Sequence, residues 1–339
     1  MARFCVPRPF ACVAVCAACC VCCPFLSSSR ELLTMTTLTA DSADRPTMTP
    51  LTALTCPLDA QPLVRDGQSW CCADGHRFDI ARQGHVNLLP VQRKRSLDPG
   101  DSKAMVSARQ RLFALGGYQP LASALASRVL ALAAAQSTQA PLAVLDAGCG
   151  EGFYLRQLAC AAGEQNLSLT AAGLDISKHA VLAAAKQSRD AAWLVGTNAA
   201  LPLEDACVDV VICAFGFPVW QEFARVLKPG GHVVLLEAGA EHLLALRKIL
   251  YRELKPARGE AGLSAAESAG FTISGEVEHL HAGLTLTSNE QIRDLLTMTP
   301  HLYRAERDGL ARAEAMTALE VELHAELRVF SLEDAQDKA

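Results

Sequence analysis

The sequence predicts an α/β protein with a mostly parallel sheet, preceded by a small cysteine-containing module. Apolar runs typical of buried strands alternate with helix-like segments between residues 141 and 237. The first run leads into an acid and a glycine-rich turn, and turns with cysteine, aspartate and histidine lie between residues 56 and 76. Strands and helices alternating at this spacing favour parallel strands joined by right-handed crossovers.

The first 55 residues are predicted to lie outside this fold. Seven of the 14 cysteines fall within the first 23 residues, in an apolar run that superficially resembles a signal peptide but lacks a clean cleavage site. Residues 27–55 are rich in Ser and Thr and aperiodic, so we expect disorder. We interpret residues 1–55 as a disordered extension or an over-long reading frame, with Met35 and Met48 as other starts. A genuine secretory or anchoring segment is the alternative.

Charge is distributed unevenly along the chain. The formal net charge is −5, which by itself does not indicate a nucleic-acid partner. Residues 56–120 contain nine Arg or Lys against six Asp or Glu, whereas residues 121–339 contain 18 against 27. This asymmetry indicates that the front of the chain meets an anion.

Two turns of metal-ligand residue types predict a small zinc ribbon. Cys56 and Asp59 form the first turn, and Cys72 and His76 the second. Two ligands from each turn can coordinate one zinc ion tetrahedrally. A segment this short needs a bound metal or a similar cross-link to fold. Aspartate is unusual in a structural zinc site, and Cys71 is another candidate for its place. A metal-free turn held by packing, with ordinary thiols, is the alternative.

A basic cluster follows this module. Arg93, Lys94 and Arg95 are adjacent and lie between Pro90 and Pro99, which predicts a linker or an exposed loop. Three adjacent cations can lie along a phosphate backbone and add affinity without sequence preference. A solvated charged loop is the alternative.

The glycine-rich turn predicts a site for a nucleoside cofactor. Its spacing is D-x-G-x-G-x-G, from Asp146 through Gly148 and Gly150 to Gly152. Glycine allows positive φ and a close approach of the backbone to a ligand. Asp175 ends the next predicted strand, where an acid can bind both ribose hydroxyls. A dinucleotide-binding turn is the rival interpretation, but a carboxylate beside the turn would repel a pyrophosphate and suits a cationic ligand.

This pattern resembles motif I of the class I S-adenosylmethionine-dependent methyltransferases. The resemblance implies a Rossmann-like fold with a mostly parallel, seven-stranded sheet, and S-adenosylmethionine as the cofactor. In such enzymes the loop after the third strand passes the adenine, so Asn198 and Ala199 are candidate cofactor contacts, together with Glu151 in the turn itself.

A wider set of motifs extends over about residues 56–330. The motifs are C-P-L at 56–58, C-x-x-x-H-x-F-D at 72–79, G-H-V-N-L-L-P at 84–90, D-P-G-D at 98–101, G-Y-Q-P-L at 117–121 and L-T-M-T-P at 296–300. Together they resemble the bacterial large-subunit ribosomal RNA guanine-N1 methyltransferases, which carry an N-terminal zinc ribbon. The resemblance implies zinc at the four turn residues, one of which, Asp59, departs from the family's cysteine. It also implies cofactor contacts by Tyr118 and His242.

The resemblance further implies methylation of guanine N1 in a hairpin loop of 23S ribosomal RNA, in the cytoplasm. Phe215 and Phe217, after the fourth predicted strand, can stack on a splayed guanine or belong to the core. This region lacks the Asn/Asp-Pro-Pro-aromatic motif of exocyclic-amine methyltransferases, which favours a ring atom as acceptor. No residue is identified as the general base. A small-molecule methyltransferase and a non-catalytic RNA-binding protein are the alternatives; we expect no membrane partner, and a homodimer is left open.

The expected organisation has four parts. They are an extension (1–55), a zinc-ribbon-like RNA-recognition module (56–90), a basic linker with helices (91–140) and the methyltransferase domain (141–335). Near the C-terminus, residues 271–287 resemble two strands, and Ser288 with Gln291 forms a capping box for the next helix. Residues 304–330 are predicted as one long charged helix.

Overall fold

The computed structural model describes residues 47–93, 96–135, 140–254 and 263–333. The predictions for Lys94, Arg95 and residues 1–46 therefore fall outside the described residues.

Thirteen strands and ten α-helices are formed by the described residues. The strands are β1 (Met48–Pro50), β2 (Val64–Asp66), β3 (Ser69–Cys71), β4 (Arg77–Asp79), β5 (Val86–Asn87), β6 (Leu142–Ala147), β7 (Leu169–Asp175), β8 (Ala192–Val195), β9 (Val208–Ala214), β10 (Leu227–Ala238), β11 (Phe271–Ile273), β12 (Glu278–Leu286) and β13 (Leu319–Leu332). The helices are α1 (Lys103–Phe113), α2 (Gln119–Ala135), α3 (Phe153–Glu164), α4 (Lys178–Gln187), α5 (Trp220–Val226), α6 (Leu244–Leu250), α7 (Leu263–Ser268), α8 (Asn289–Met298), α9 (His301–Arg304) and α10 (Arg307–Glu314). A 3-10 helix covers Val91–Arg93.

The main sheet has ten strands, in the order β11-β13-β10-β9-β6-β7-β8-β5, with β1 beside β7 and β12 beside β13. Pairing is parallel from β10 through β5 and antiparallel wherever β13 takes part. Seven of these strands form the predicted mostly parallel sheet; in spatial order they are β8, β7, β6, β9, β10, β13 and β12. The short β1, β5 and β11 extend it. The prediction of the fold class is confirmed.

Burial on both faces explains why the central strands lack alternation. Every residue of β6, Leu142–Ala147, is buried, as expected for a parallel strand covered by helices on both sides. Its carboxyl end carries the glycine-rich turn into α3. Ligands of such sheets bind beyond the carboxyl ends of the strands, which places the predicted cofactor residues at one edge.

The front module is a small antiparallel sheet of β2, β3 and β4, with β3 in the centre. Trp70 on β3 is buried and pairs with Phe78 on β4. The chain then adds β5 to the main sheet, parallel to β8. The module is thus continuous with the edge of the main sheet.

Two predictions of secondary structure are wrong. Residues 48–50, inside the segment predicted as disordered, form β1 parallel to β7, because Met48 buries its side chain against the sheet. Residues 304–330 are not one helix: α10 ends at Glu314 and β13 begins at Leu319. Glutamates favour helix in isolation, but apolar residues alternate with polar ones along β13 with period two, so one face packs on the core.

No helix among the described residues is long and apolar enough to cross a bilayer.

The indole of Trp193 occupies the space that glycine leaves at one position of the sheet and at one position of the glycine-rich turn. A Cβ on Gly173 in β7 would lie 2.4 Å from the Trp193 ring, and one on Gly152 would lie 2.5 Å from it. We expect Gly173→Ala to lower the free energy of unfolding by about 1–3 kcal/mol through overpacking, measured by urea denaturation. Gly283→Ala in β12 is the control, because no atom lies within 4 Å of its Cβ position. Equal effects of the two changes would contradict this packing.

Candidate active site and metal centre

The glycine-rich turn folds as the spacing D-x-G-x-G-x-G predicts. Gly148, Gly150 and Gly152 have φ of +94°, +54° and +78°, a region that favours glycine. The amides of Gly148 and Cys149 donate to the carbonyl of Leu174 at 2.8 and 3.0 Å, which ties the turn to β7. The backbone is therefore open to a ligand at this point without a Cβ in the way.

Asp146 is a buried acid without a partner. Its side chain is 1% exposed, and neither carboxylate oxygen has a hydrogen bond within the described residues. Burial, and secondly the charge of Asp175, raise the pKa of Asp146 to about 7. A buried unpaired carboxylate is costly, so this arrangement suits a ligand that brings a positive charge and N–H donors. The ammonium and sulfonium groups of S-adenosylmethionine fit that requirement.

Asp175 is fixed at the end of β7 by two amides. Its Oδ2 accepts from Gly150 N at 3.0 Å and its Oδ1 from Ser177 N at 2.7 Å. Burial raises its pKa. Each oxygen retains a lone pair, so the carboxylate can still accept from two ribose hydroxyls.

The carboxylate of Glu151, predicted to contact the cofactor, is instead bound by other side chains of the protein. Its carboxylate accepts from Arg156 Nη2 at 2.9 Å and from Gln187 Nε2 at 2.7 Å, and the residue is 2% exposed. These contacts join α3 to α4 and turn the side chain into the protein. If Glu151 contacts the cofactor, it does so through its backbone, because its side chain is already bound.

Aromatic side chains form a chain of ring contacts from α1, through α3, to the loop after β9. Phe113 lies 4.9 Å from Tyr118 and 4.3 Å from Phe153 between ring centroids. Tyr154 follows in α3, 6.4 Å from Phe215. Tyr118 is almost fully buried, which raises its pKa well above the usual range. The buried Tyr154 hydroxyl has no partner within the described residues; sequence reasoning missed it, although it stands two residues after the turn.

His242 is held as a neutral ring beside this chain of ring contacts. Its Nδ1 donates to the carbonyl of His324 at 2.9 Å, which leaves Nε2 with a free lone pair. Burial lowers the pKa of His242 to about 4. Its ring lies 5.5 Å from Phe215. The side chain can therefore accept a hydrogen bond at Nε2, while its low pKa disfavours protonation there.

The loop after β8 meets the loop after β9. Asn198 donates from Nδ2 to the carbonyl of Phe217 at 3.2 Å, while its buried Oδ1 has no partner within the described residues. The amide of Ala199 donates to the Thr197 hydroxyl at 3.3 Å. Phe215 has a positive φ of +52°, strained for a residue of this kind, and Phe217 is 85% exposed. The structure thus places a buried amide oxygen without a described partner next to the backbone of the loop that carries Phe215 and Phe217.

Arg109 was not identified from the sequence. It pairs with Asp101, and its Nη1 lies 3.3 Å from the Cβ position of Gly150. The carbonyl of Asp101 accepts from the Ser177 hydroxyl at 2.6 Å. The segment at 98–101 is therefore packed against the turn, and its D-P-G-D motif was the available signal.

The four predicted metal ligands converge. Cys72 Sγ lies 3.2 Å from Asp59 Oδ2 and 3.4 Å from His76 Nδ1, and His76 Nδ1 lies 2.8 Å from Asp59 Oδ2. Cys56 Sγ completes the set, 3.6 Å from His76 Nδ1. Zinc bonds of about 2.0–2.3 Å place neighbouring tetrahedral ligands roughly 3.3–3.8 Å apart, so the set fits zinc once the Asp59–His76 edge widens slightly.

Cys71, the other ligand candidate, lies within β3 opposite Val64 and Arg77 and is outside this group. Asp59 also accepts from the amide of Gln61 at 3.0 Å, which lowers its pKa and keeps it ionised. The aspartate is thus ready to act as a ligand in place of cysteine. Of the basic cluster, Arg93 lies in the 3-10 helix.

Comparison with known proteins gives two family models that match this chain. The model described as "RlmA, N-terminal", a zinc ribbon, matches residues 54–97, and the "Methyltransferase domain" model matches residues 145–235. The first range contains the four converging ligands, and the second contains the glycine-rich turn.

Two curated relatives are similar over most of the chain. A Bacillus subtilis protein, "Putative 23S rRNA (guanine-N(1)-)-methyltransferase YxjB", is 30% identical over 279 residues, which cover 81% of this chain and 95% of the relative. The "23S rRNA (guanine(748)-N(1))-methyltransferase" of Streptomyces fradiae is 32% identical over 260 residues, 76% of this chain and 89% of the relative.

Proposed function

Because this chain belongs to the 23S rRNA (guanine-N1)-methyltransferase family, we propose that it transfers the methyl group of S-adenosylmethionine to N1 of a guanine in a hairpin loop of 23S ribosomal RNA. The observation that carries the proposal is Asp146 at the end of β6, which is buried and has no hydrogen-bond partner in the described part of the chain, next to a glycine turn that leaves the backbone accessible. This site suits a cationic nucleoside donor rather than a dinucleotide.

The acceptor base is proposed to enter between the loops after β9 and β10. Phe215 and Phe217 lie at this entrance, and an exposed aromatic ring is the usual platform for a splayed base of single-stranded RNA. The strained backbone at Phe215 is consistent with a functional position. A small-molecule substrate would not require Phe217 to be exposed, nor a zinc ribbon in front of the domain.

The chemistry requires little beyond positioning and removal of a proton. When bound, S-adenosylmethionine supplies an already activated methyl group. The enzyme must hold the guanine N1 in line behind it, which is catalysis by proximity. Guanine N1 also carries a proton that must leave. The neutral His242, with its free Nε2, can accept a hydrogen bond from this N–H and so orient the base, while its low pKa leaves the proton itself to solvent.

The direct test uses 23S ribosomal RNA prepared from a strain that lacks the gene. Incubation with the protein and tritiated S-adenosylmethionine is expected to label the RNA, and nuclease digestion followed by mass spectrometry to yield 1-methylguanosine. Labelling of small molecules but not of RNA would overturn the proposal in favour of the small-molecule alternative. Cofactor binding without any transfer would favour the RNA-binding alternative.

Phe217 offers a test of how the base is bound. We expect Phe217→Ala to raise KM for RNA about tenfold or more, since stacking on an aromatic ring contributes about 1–3 kcal/mol per base. The affinity for S-adenosylmethionine should change little, because the ring is exposed. Phe217→Tyr is the matched control and should behave as the wild type. Equal KM values for the alanine and tyrosine variants would place the base elsewhere.

Two further expectations belong to this proposal. A protein that modifies ribosomal RNA acts in the cytoplasm, where fractionation with ribosomes is the test. The homodimer left open by the sequence stays a prediction, to be examined by sedimentation with and without RNA.

A further inference from the structure

A second basic surface lies beside the pocket, on helices α6 and α9. Arg247 in α6 donates from Nη1 to the carbonyl of Ala240 at 2.7 Å. Ala240 belongs to the loop after β10 that also carries His242, so this guanidinium covers the rim of the pocket. We call the patch formed by Arg247, His301, Tyr303 and Arg304 the α6–α9 surface.

A tyrosine–histidine pair joins the end of α6 to α9. The Tyr251 hydroxyl lies 2.9 Å from His301 Nδ1, and their rings are 5.6 Å apart. Burial lowers the pKa of His301, and the positive charges of Arg247 and Arg304 lower it further. Arg247 lies four residues before Tyr251 and Arg304 three residues after His301, so the two arginines flank this hydrogen-bonded pair, one from each helix.

These two arginines have no carboxylate partner among the described residues within ion-pair distance. Arg252, four residues after Lys248 of α6, shows the contrast: it pairs with Glu306 at 3.3 Å and with Asp308 at 3.4 Å. Two like charges that converge without a counter-charge repel each other, and a bound anion relieves that repulsion. The arrangement is thus complementary to an anion at the rim of the pocket.

An exposed aromatic residue completes the surface. Tyr303 is 73% exposed and directly precedes Arg304. Cations that follow a backbone, with an aromatic ring on which a base can stack, are the combination that binds single-stranded nucleic acid. Exposed acids also lie on this side of the molecule, at Glu241 in the same loop and at Glu306, and the latter is paired with Arg252.

We propose that the α6–α9 surface binds the RNA phosphates that flank the target guanine and so fixes the register of the loop in the pocket. The inference rests on the proposed function. It adds an RNA contact in the C-terminal part of the chain, whereas the zinc module lies in the N-terminal part. Phosphate contacts position a nucleic acid without reading its sequence, which leaves base recognition to the pocket itself.

The test measures RNA affinity against salt concentration. Two variants are used, Arg304→Glu and the double change Arg247→Gln with Arg304→Gln, with domain-length fragments of 23S ribosomal RNA as probes. Each lost phosphate contact to single-stranded RNA lowers the slope of log K against log salt by about 0.7. We expect a slope lower by about 0.7 for the single variant and by about 1.4 for the double one, with unchanged S-adenosylmethionine affinity.

Arg252→Gln is the matched control, because its charge is already paired, and it should leave the slope unchanged. Arg304 is exposed and makes no hydrogen bond among the described residues, so its replacement tests the surface without disturbing the fold. Wild-type slopes in both variants would overturn this proposal and leave the proposed function intact. Surface-dependent binding without methylation would overturn only the proposed function, and a wild-type protein that does not bind RNA would overturn both.

Discussion

Asp146→Asn is expected to lower the affinity for S-adenosylmethionine by about 100-fold or more while leaving the fold intact. Both carboxylate oxygens are buried and have no hydrogen-bond partner within the described residues, so we expect the cofactor to supply their hydrogen bonds. Hydrogen bonds to charged groups contribute about 1.5–3 kcal/mol each. Isothermal titration with S-adenosylmethionine and with S-adenosylhomocysteine measures the loss. Equal losses would assign Asp146 to the ammonium group that both ligands share; a larger loss for the first would assign it to the sulfonium.

The same change should stabilise the cofactor-free protein. The pKa of Asp146 is raised from 3.8 to about 7 in the folded state, so the folded protein retains a proton that the unfolded chain releases. Its contribution is present below the unfolded pKa and is lost as the pH rises through the folded pKa. At pH 8 the variant should therefore be more stable than the wild type, by a few kcal/mol at about 1.4 kcal/mol per pKa unit.

Asp209→Asn is the control for this experiment. Asp209 accepts from the amide of Ala143 at 2.8 Å and pairs with Lys228 at 2.9 Å, at the opposite end of β6 from the pocket. We expect it to lower stability and leave cofactor affinity unchanged. Unchanged cofactor affinity in Asp146→Asn would remove the basis of the proposed function.

Cys72→Ser is expected to abolish zinc binding and RNA methylation while cofactor binding survives. The three-stranded module has few large buried side chains, so we expect it to need the metal for folding. Burial raises the pKa of the neighbouring Cys56 to about 11, and the metal is what stabilises its thiolate. Zinc content by mass spectrometry and cofactor affinity by titration are the measurements.

The aspartate ligand makes this prediction more specific. Asp59→Ala should lose zinc, and Asp59→Cys should retain it at least as tightly, because thiolate is a favoured zinc ligand. Cys71→Ser is the matched control, since Cys71 lies outside the ligand group, and should keep full zinc content. Loss of zinc in Cys71→Ser together with its retention in Asp59→Ala would show that Cys71 is the ligand.

Local signals in the sequence were sufficient to predict the backbone conformation of turns and helix ends. The glycine spacing after β6 predicted the three positive-φ positions, and Ser288 caps α8 through the amide of Gln291 as the capping box predicts. The apolar runs of β6 and β9 predicted buried parallel strands. Such features depend on residues only a few positions apart, so they can be predicted without knowledge of the tertiary structure.

Only the tertiary structure decided which side chains contact each other. Glu151 is engaged by Arg156 and Gln187, and Arg109 reaches Gly150 across the fold. Residues of β13 became a strand because β10 and β12 flank it, against the helix preference of its glutamates. The sequence by itself therefore determined the sheet type, the glycine turn and the ligand residue types. The fold decided which acid stays unpaired and which cations converge, because burial and charge pairing depend on neighbours that are distant along the chain.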